Sequence, residues 1–176
     1  MLRTSMVAAL FVLVGLAQSA QAAVMVRMTL DDLVHESDLV IRGTVLSSKS
    51  FKDARTGKVM TTHQVRVDET MKGSAVNQVA VVTLGGELED IGQIIPGEAR
   101  LDDGEEVVLC LQSGQLGYSV VAMAQGKFKV VKDGQVTTLR RDLADILFVG
   151  TRKGSVPPQD SLPLDTFREL VRRNSK

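Results

Sequence analysis

The stretch Ser37-Asp38-Leu39-Val40-Ile41-Arg42-Gly43-Thr44-Val45-Leu46-Ser47-Ser48 decides the fold. Leu39, Ile41, Gly43 and Val45 recur at period two while Arg42 and Thr44 point the other way, the alternation of a half-buried strand. Gly43 falls on the apolar face, where a missing side chain lets a strand bend sharply as it wraps around a barrel. The stretch predicts the first and longest strand of a small closed β-sheet.

Its partners follow in order. After a polar run ending in the turn signal Arg55-Thr56-Gly57-Lys58, Thr61 to Met71 sets His63, Val65 and Val67 against Gln64, Arg66 and Asp68. Asn77 to Leu84 is more uniformly apolar and reads as a strand covered on both faces. Glu106 to Leu111 and Gly117 to Ala124 are the fourth and fifth strands, and Lys127–Val131 and Gln135–Leu139 make a hairpin around Asp133-Gly134. Between the third and fourth strands, Gly85 to Glu105 is irregular. Its Ile91, Ile94 and Ile95 predict a loop tucked over a barrel end.

Helical signals lie at both ends. Thr29-Leu30-Asp31-Asp32 has the form of a capping box, and Leu30, Leu33 and Val34 give the stripe of a short helix. Pro163 to Arg173 carries Leu164, Phe167, Leu170 and Val171 on one face, with Asp165 in the first turn and Arg172 and Arg173 at the negative end. Arg141 to Phe148 has Leu143, Ile146 and Leu147 at helical spacing. A long bent first strand, a meander and an irregular stretch before the fourth strand predict a mainly β protein: a small OB-type Greek-key barrel with a short N-terminal helix and a C-terminal amphipathic helix.

Composition narrows the function classes. The 176 residues carry zero formal net charge, which argues against a general polyanion binder. Aromatic residues are 3%, with no Trp, which argues against surfaces that stack bases or sugars. Arg3, the apolar run Met6 to Leu16 and Ala20-Gln21-Ala22 form a signal-peptide pattern over residues 1–22, with a mature start at Ala23. That apolar run is shorter than the ~20 residues a membrane span needs. The expectation is an exported protein, periplasmic or extracellular, with no transmembrane anchor after cleavage. A β-domain would span 23–150, and a linker and helix 151–176. Cys110 is the only cysteine, and within Val107-Val108-Leu109-Cys110-Leu111 it reads as a small core hydrophobe.

No residue pattern specifies a reaction. His35 and His63 are far apart, with no Cys, Asp or Glu at metal-ligand spacing around them. His63 is in phase with Val65 and Val67, so it is either a group at a barrel mouth or a satisfied core-edge residue. Ser37, His63 and Asp68 supply the residue types of a serine hydrolase without its strand–elbow–helix context. Gly85-Gly86 lacks the spacing of a phosphate loop and reads as a turn. Asp102, Asp103, Glu105 and Glu106 lack the alternation of a calcium loop and read as a solvated turn. The basic helix face of Arg168, Arg172, Arg173 and Lys176 is either a surface for an anionic partner or a complement to the helix dipole. The expectation is no cofactor and no metal.

Ser37-Asp38-Leu39-Val40-Ile41-Arg42, followed by an alternating strand ending Thr70-Met71-Lys72-Gly73, resembles the netrin-like module. Its best-known member is the inhibitory domain of the tissue inhibitors of metalloproteinases. Gly85-Gly86-Glu87, the Pro96-Gly97 turn, the strand Gly104 to Leu111 and Ala124-Gln125-Gly126-Lys127-Phe128 are similar to small secreted bacterial proteins of unassigned role. The resemblance covers Ser37 to Val131 and implies an OB-fold and a binding role, not a reaction. In the metalloproteinase inhibitors a mature N-terminal Cys held by disulfides chelates the enzyme's zinc. This chain has no such Cys and a helix precedes its first strand, so no functional residue carries over.

The reading that results is an exported, non-catalytic binding module. It recognises a protein partner, an extracellular protease being the candidate, and binds no nucleic acid. Gly85, Gly86, Glu87, Pro96 and Gly97 form the candidate partner-binding loop, and His63 is a further candidate. An envelope-associated structural or assembly component and a small exported hydrolase are the alternatives.

Overall fold

The computed structural model describes residues 23–89, 91–149 and 160–175. The signal-peptide reading of residues 1–22 and the linker 151–159 lie outside them. A short strand β1 (Ala23–Met25) leads to helix α1 (Leu30–His35). Thr29 caps α1 as expected: its Oγ1 accepts from the Asp32 N–H at 3.1 Å, and the Asp32 carboxylate accepts from the Thr29 N–H at 3.2 Å.

Two long strands follow, β2 (Leu39–Lys52) and β3 (Val59–Lys72), each longer at its turn end than the alternation alone predicts. Their antiparallel pairing slips at Val40/Ile41, Arg42/Gly43 and Val45/Ser47. Each slip bends and twists the ribbon. Gly43 is fixed by close approach: a Cβ there would run into the Arg66 carbonyl oxygen of β3.

Next come β4 (Gln78–Leu84), the small hairpin β5 (Gly86–Leu88) and β6 (Ile91–Gln93), then β7 (Glu106–Gly114) and β8 (Gly117–Val120). A single 3-10 turn (Met123–Gly126) separates β8 from the hairpin β9 (Lys127–Asp133) and β10 (Val136–Arg140). The chain finishes with β11 (Ile146–Phe148), β12 (Ser161–Pro163) and helix α2 (Leu164–Asn174).

The main sheet has the order β12-β10-β9-β7-β2-β3-β4-β8, and β7 also pairs with β8. The sheet therefore closes partly on itself as a ring of β2, β3, β4, β8 and β7. All contacts around it are antiparallel except β4–β8, which is parallel and rests on the one pair Val81 and Tyr118. The architecture is mainly β and barrel-like.

The apolar residues divide into two cores on either side of the shared wall of β2 and β7. Leu39, Ile41 and Val45 join Val65, Val81, Val107, Leu109 and Leu111 inside the ring. Val40, Val108 and Cys110, pointing the other way, join Phe128, Leu139 and the α1 and α2 residues Leu33, Val34, Phe167 and Val171 outside it. Both faces of that wall are dry, so its residues are apolar at consecutive positions rather than at alternate ones.

Two expectations are corrected and a third is met. Arg141 to Phe148 forms no helix: Ile146–Phe148 is a strand, paired in parallel with Ala23–Met25. The Gly85 to Glu105 stretch holds the β5–β6 hairpin, and two of its three isoleucines are not tucked in: Ile91 is 56% and Ile94 79% exposed, while Ile95 is half-buried. Ala99 and Leu101 fill the interior there instead. Cys110 is the core hydrophobe that its neighbours imply, fully buried, and burial pushes its thiol up to about 12.

Candidate binding cleft

The ring interior changes from apolar to polar toward one end, through the choice of side chain at each step of the pleat. On β3 the inward series running toward the turn is Val65, His63, Thr61; on β4 it is Val79, Val81, Thr83. On β2 the slip at Val45/Ser47 shifts the phase, so Ser48 and Ser50 come opposite His63 and Thr61. Strict alternation from Ile41 would have placed Ser47 and Lys49 there.

These side chains form a hydrogen-bonded run. Ser48 Oγ donates to Asp103 Oδ1 at 2.6 Å and lies 2.7 Å from His63 Nδ1. Having only one hydrogen to give, the Ser48 hydroxyl accepts from His63, which puts the neutral imidazole's proton on Nδ1. His63 Nε2, 2.9 Å from Thr83 Oγ1, then accepts from that hydroxyl. Burial lowers the His63 pKa, and the carboxylates of Asp103 and Asp102 offset only part of that effect. One layer along, Thr61 Oγ1 donates to the Gly85 carbonyl at 2.7 Å and lies 3.0 Å from Ser50 Oγ.

The polar layer floors a cleft of about 450 Å³ bounded by His63, Thr83, Gly85, Gly86, Glu98 and Asp102. Gly85 and Gly86 have φ of +87° and +132°. A Cβ on Gly86 would collide with the Thr61 hydroxyl and come within 2.5 Å of Ser50 Oγ. The Gly-Gly step is therefore a turn that lets the chain pass directly over the hydroxyl layer. The β5–β6 hairpin is tied to the start of β3, where Gly85 N donates to the Val59 carbonyl at 2.8 Å and Val59 N to Gln93 Oε1 at 3.3 Å.

The candidate loop divides in two. Gly85, Gly86 and Glu87 border the cleft together with His63. Pro96-Gly97 sits apart, with Gly97 buried against β1 and β11; a Cβ there would lie 2.8 Å from the Ala23 Cβ. The Gly97 carbonyl also accepts from Ala124 N at 3.0 Å.

The other sequence candidates are engaged elsewhere. Ser37 Oγ donates to the Leu33 carbonyl at 2.6 Å, and Asp68 pairs with Arg66 at 3.1 Å, so neither joins His63. His35 is exposed on the last turn of α1. The acidic turn is only partly solvated: the Glu105 side chain is 6% exposed and pairs with Lys127 at 2.8 Å, while Glu106 pairs with Arg42 and Lys132. Among the described residues, no group of three or more His, Cys, Asp and Glu side chains is placed to hold a metal. Arg168 forms a two-pronged contact with Glu69 at 2.9 and 2.7 Å, which ties α2 to β3.

Sequence reasoning missed Ser48 and Glu98, and placed Asp103 in a solvated acidic turn without its link to Ser48. Glu98 Oε2 accepts from Leu84 N at 3.2 Å and Oε1 from Ala99 N at 3.0 Å, and burial raises its pKa. Among the described residues it has no cationic partner.

No protein-family model matches this chain, and no curated protein sequence matches it. No helix among the described residues is long and apolar enough to cross a membrane.

Proposed function

We propose that the chain is an exported, non-catalytic binding module of the OB type that recognises a protein partner at the cleft rim. The observation that carries the reading is the pair Ile91 and Ile94. They are 56% and 79% exposed on and beside the β5–β6 hairpin, next to a cleft with a polar floor. Large apolar side chains held in water beside a concave surface mark interaction sites. The OB assignment is supported by the ring order β2-β3-β4-β8-β7 with its single parallel contact. The netrin-like resemblance points to an extracellular protease as the partner, by a route that needs no N-terminal Cys.

A hydrolase reading is less well supported by the same side chains. A serine nucleophile needs its hydroxyl proton directed at a histidine nitrogen. Here the Ser48 hydroxyl donates to Asp103, and both His63 nitrogens are engaged.

The test is retention of a partner by the immobilised protein from culture supernatant or periplasmic extract. The wild type is expected to retain a discrete protein that the Ile91→Ser/Ile94→Ser double variant loses, with an unchanged unfolding midpoint. Equal retention by both proteins, or none by the wild type, overturns the proposal.

A further inference from the structure

The floor of the cleft has spent its hydrogens. The Ser48 hydroxyl donates to Asp103, the His63 Nδ1–H to Ser48, and the Thr83 hydroxyl to His63 Nε2. Thr61 Oγ1 gives its hydrogen to the Gly85 carbonyl, so its 3.0 Å contact with Ser50 Oγ is made by the Ser50 hydrogen. Two main-chain donors beside the floor are used as well, Gly85 N on the Val59 carbonyl and Leu84 N on Glu98.

Lone pairs are what remains. Thr83 and Thr61 both line the cleft and keep acceptor capacity beyond the bonds they make. Each oxygen of Glu98 accepts one main-chain N–H, from Leu84 or Ala99, and can accept another. No described cation neutralises Glu98, and Asp102 adds a second carboxylate at the exposed mouth. The side-chain donors left on the lining are Arg100, held by Asp145 at 2.9 Å, and the Gln93 amide, whose oxygen accepts from Val59 N. An anion would therefore set lone pairs against lone pairs. A cationic group made of N–H donors meets these atoms as partners.

The walls above the floor are apolar. Ile95, half-buried, and Ile94, exposed, line the same cleft. An apolar rim over an acceptor floor suits a group with a methylene stem and a charged tip. We infer that the cleft receives a lysine or arginine side chain of the protein partner, its stem against Ile94 and Ile95 and its cation at Thr83 and Glu98. The inference rests on the partner-binding reading above and names the residue type that the partner inserts.

The probes are N-acetyl-arginine amide and N-acetyl-lysine amide, with N-acetyl-citrulline amide as a neutral copy of arginine and N-acetyl-glutamate amide as the opposite charge. Each is titrated into the isotope-labelled full chain, and the amide resonances of Thr83, Gly85 and Gly86 are followed. The two basic probes are expected to shift these amides saturably, citrulline to bind about tenfold more weakly, and glutamate to leave them unmoved. Glu98→Gln is expected to weaken the basic probes about tenfold and to leave citrulline unchanged. Asp102→Asn, an exposed change, should act in the same direction by a smaller factor. The comparison of arginine with citrulline uses the unaltered protein, so it decides the matter even where a variant fails to fold.

Equal binding of arginine and citrulline, shifts confined to residues away from the cleft, or undiminished binding of the basic probes by Glu98→Gln overturns the inference. A protein partner lost with Ile91→Ser/Ile94→Ser but no preference for basic probes removes this inference alone. A preference for basic probes without any retained protein removes the rim proposal alone.

Discussion

Phe128 on β9 and Phe167 on α2 meet with ring centroids 5.1 Å apart at an interplanar angle of 50°, and both are fully withdrawn from water. Tilted aromatic pairs of this kind add attraction to the area they bury. The terminal helix is thereby part of the outer core, together with Leu164, Leu170 and Val171.

Phe167→Ala is accordingly expected to cost about 3–5 kcal/mol, the range for removing a buried phenyl ring. Urea unfolding followed by circular dichroism measures it. Phe167→Leu should recover most of the loss.

Gly43→Ala adds one methyl group at a point where the β3 backbone leaves no room, since the obstructing atom is the Arg66 carbonyl oxygen. The two strands must part, at a cost of roughly 1–3 kcal/mol. The unfolding midpoint reads it, and Gly92→Ala, in open space and without a left-handed φ, is the control for adding a methyl group to a glycine.

His63 gives the stability a pH dependence of definite sign. Its folded pKa lies below the ordinary 6.5 because burial disfavours the imidazolium. Below that value the unfolded chain takes up a proton that the folded chain resists, so stability is lost as pH falls through the window beneath 6.5. Denaturation midpoints measured at about pH 7.5 and about pH 5.5, on either side of the imidazole range, should differ more for the wild type than for His63→Gln.

Lys127→Met leaves the Glu105 carboxylate, 6% exposed, without its close partner at 2.8 Å. Lys129, at 3.9 Å and 60% exposed, is a poor replacement. Breaking one side of such a pair is expected to cost about 3 kcal/mol. Adding Glu105→Gln should restore most of it, and the double-mutant cycle separates the pair from packing.

The strands were legible because their signal is local. Alternation of the Ile41 and Val65 type, and Asp133-Gly134 between two short runs, need no knowledge of distant residues. The paired wall of β2 and β7 was less so, because Val40 and Cys110 face a second core that only helices from both ends complete. Ile146 to Phe148 carries a helical spacing yet is a strand, since its partner, Ala23 to Met25, lies more than a hundred residues away and pairs in parallel. The cleft was half legible. His63 and the Gly-Gly step stand out by residue type, but Ser48 enters only through a slip in strand register, and Asp103 and Glu98 only through a loop path. Spacing along one chain encodes none of these.

The thiol of Cys110 deserves its own use. It lies in the wall between the two cores, with no surface open to solvent and a pKa near 12. Its side chain faces the outer core, so reagents that attack thiolates reach it only when the outer layer parts from that wall. Its labelling rate is therefore a native clock for the opening of that outer layer, built in without an added probe, and cysteines introduced at the surface can be labelled selectively while it stays silent.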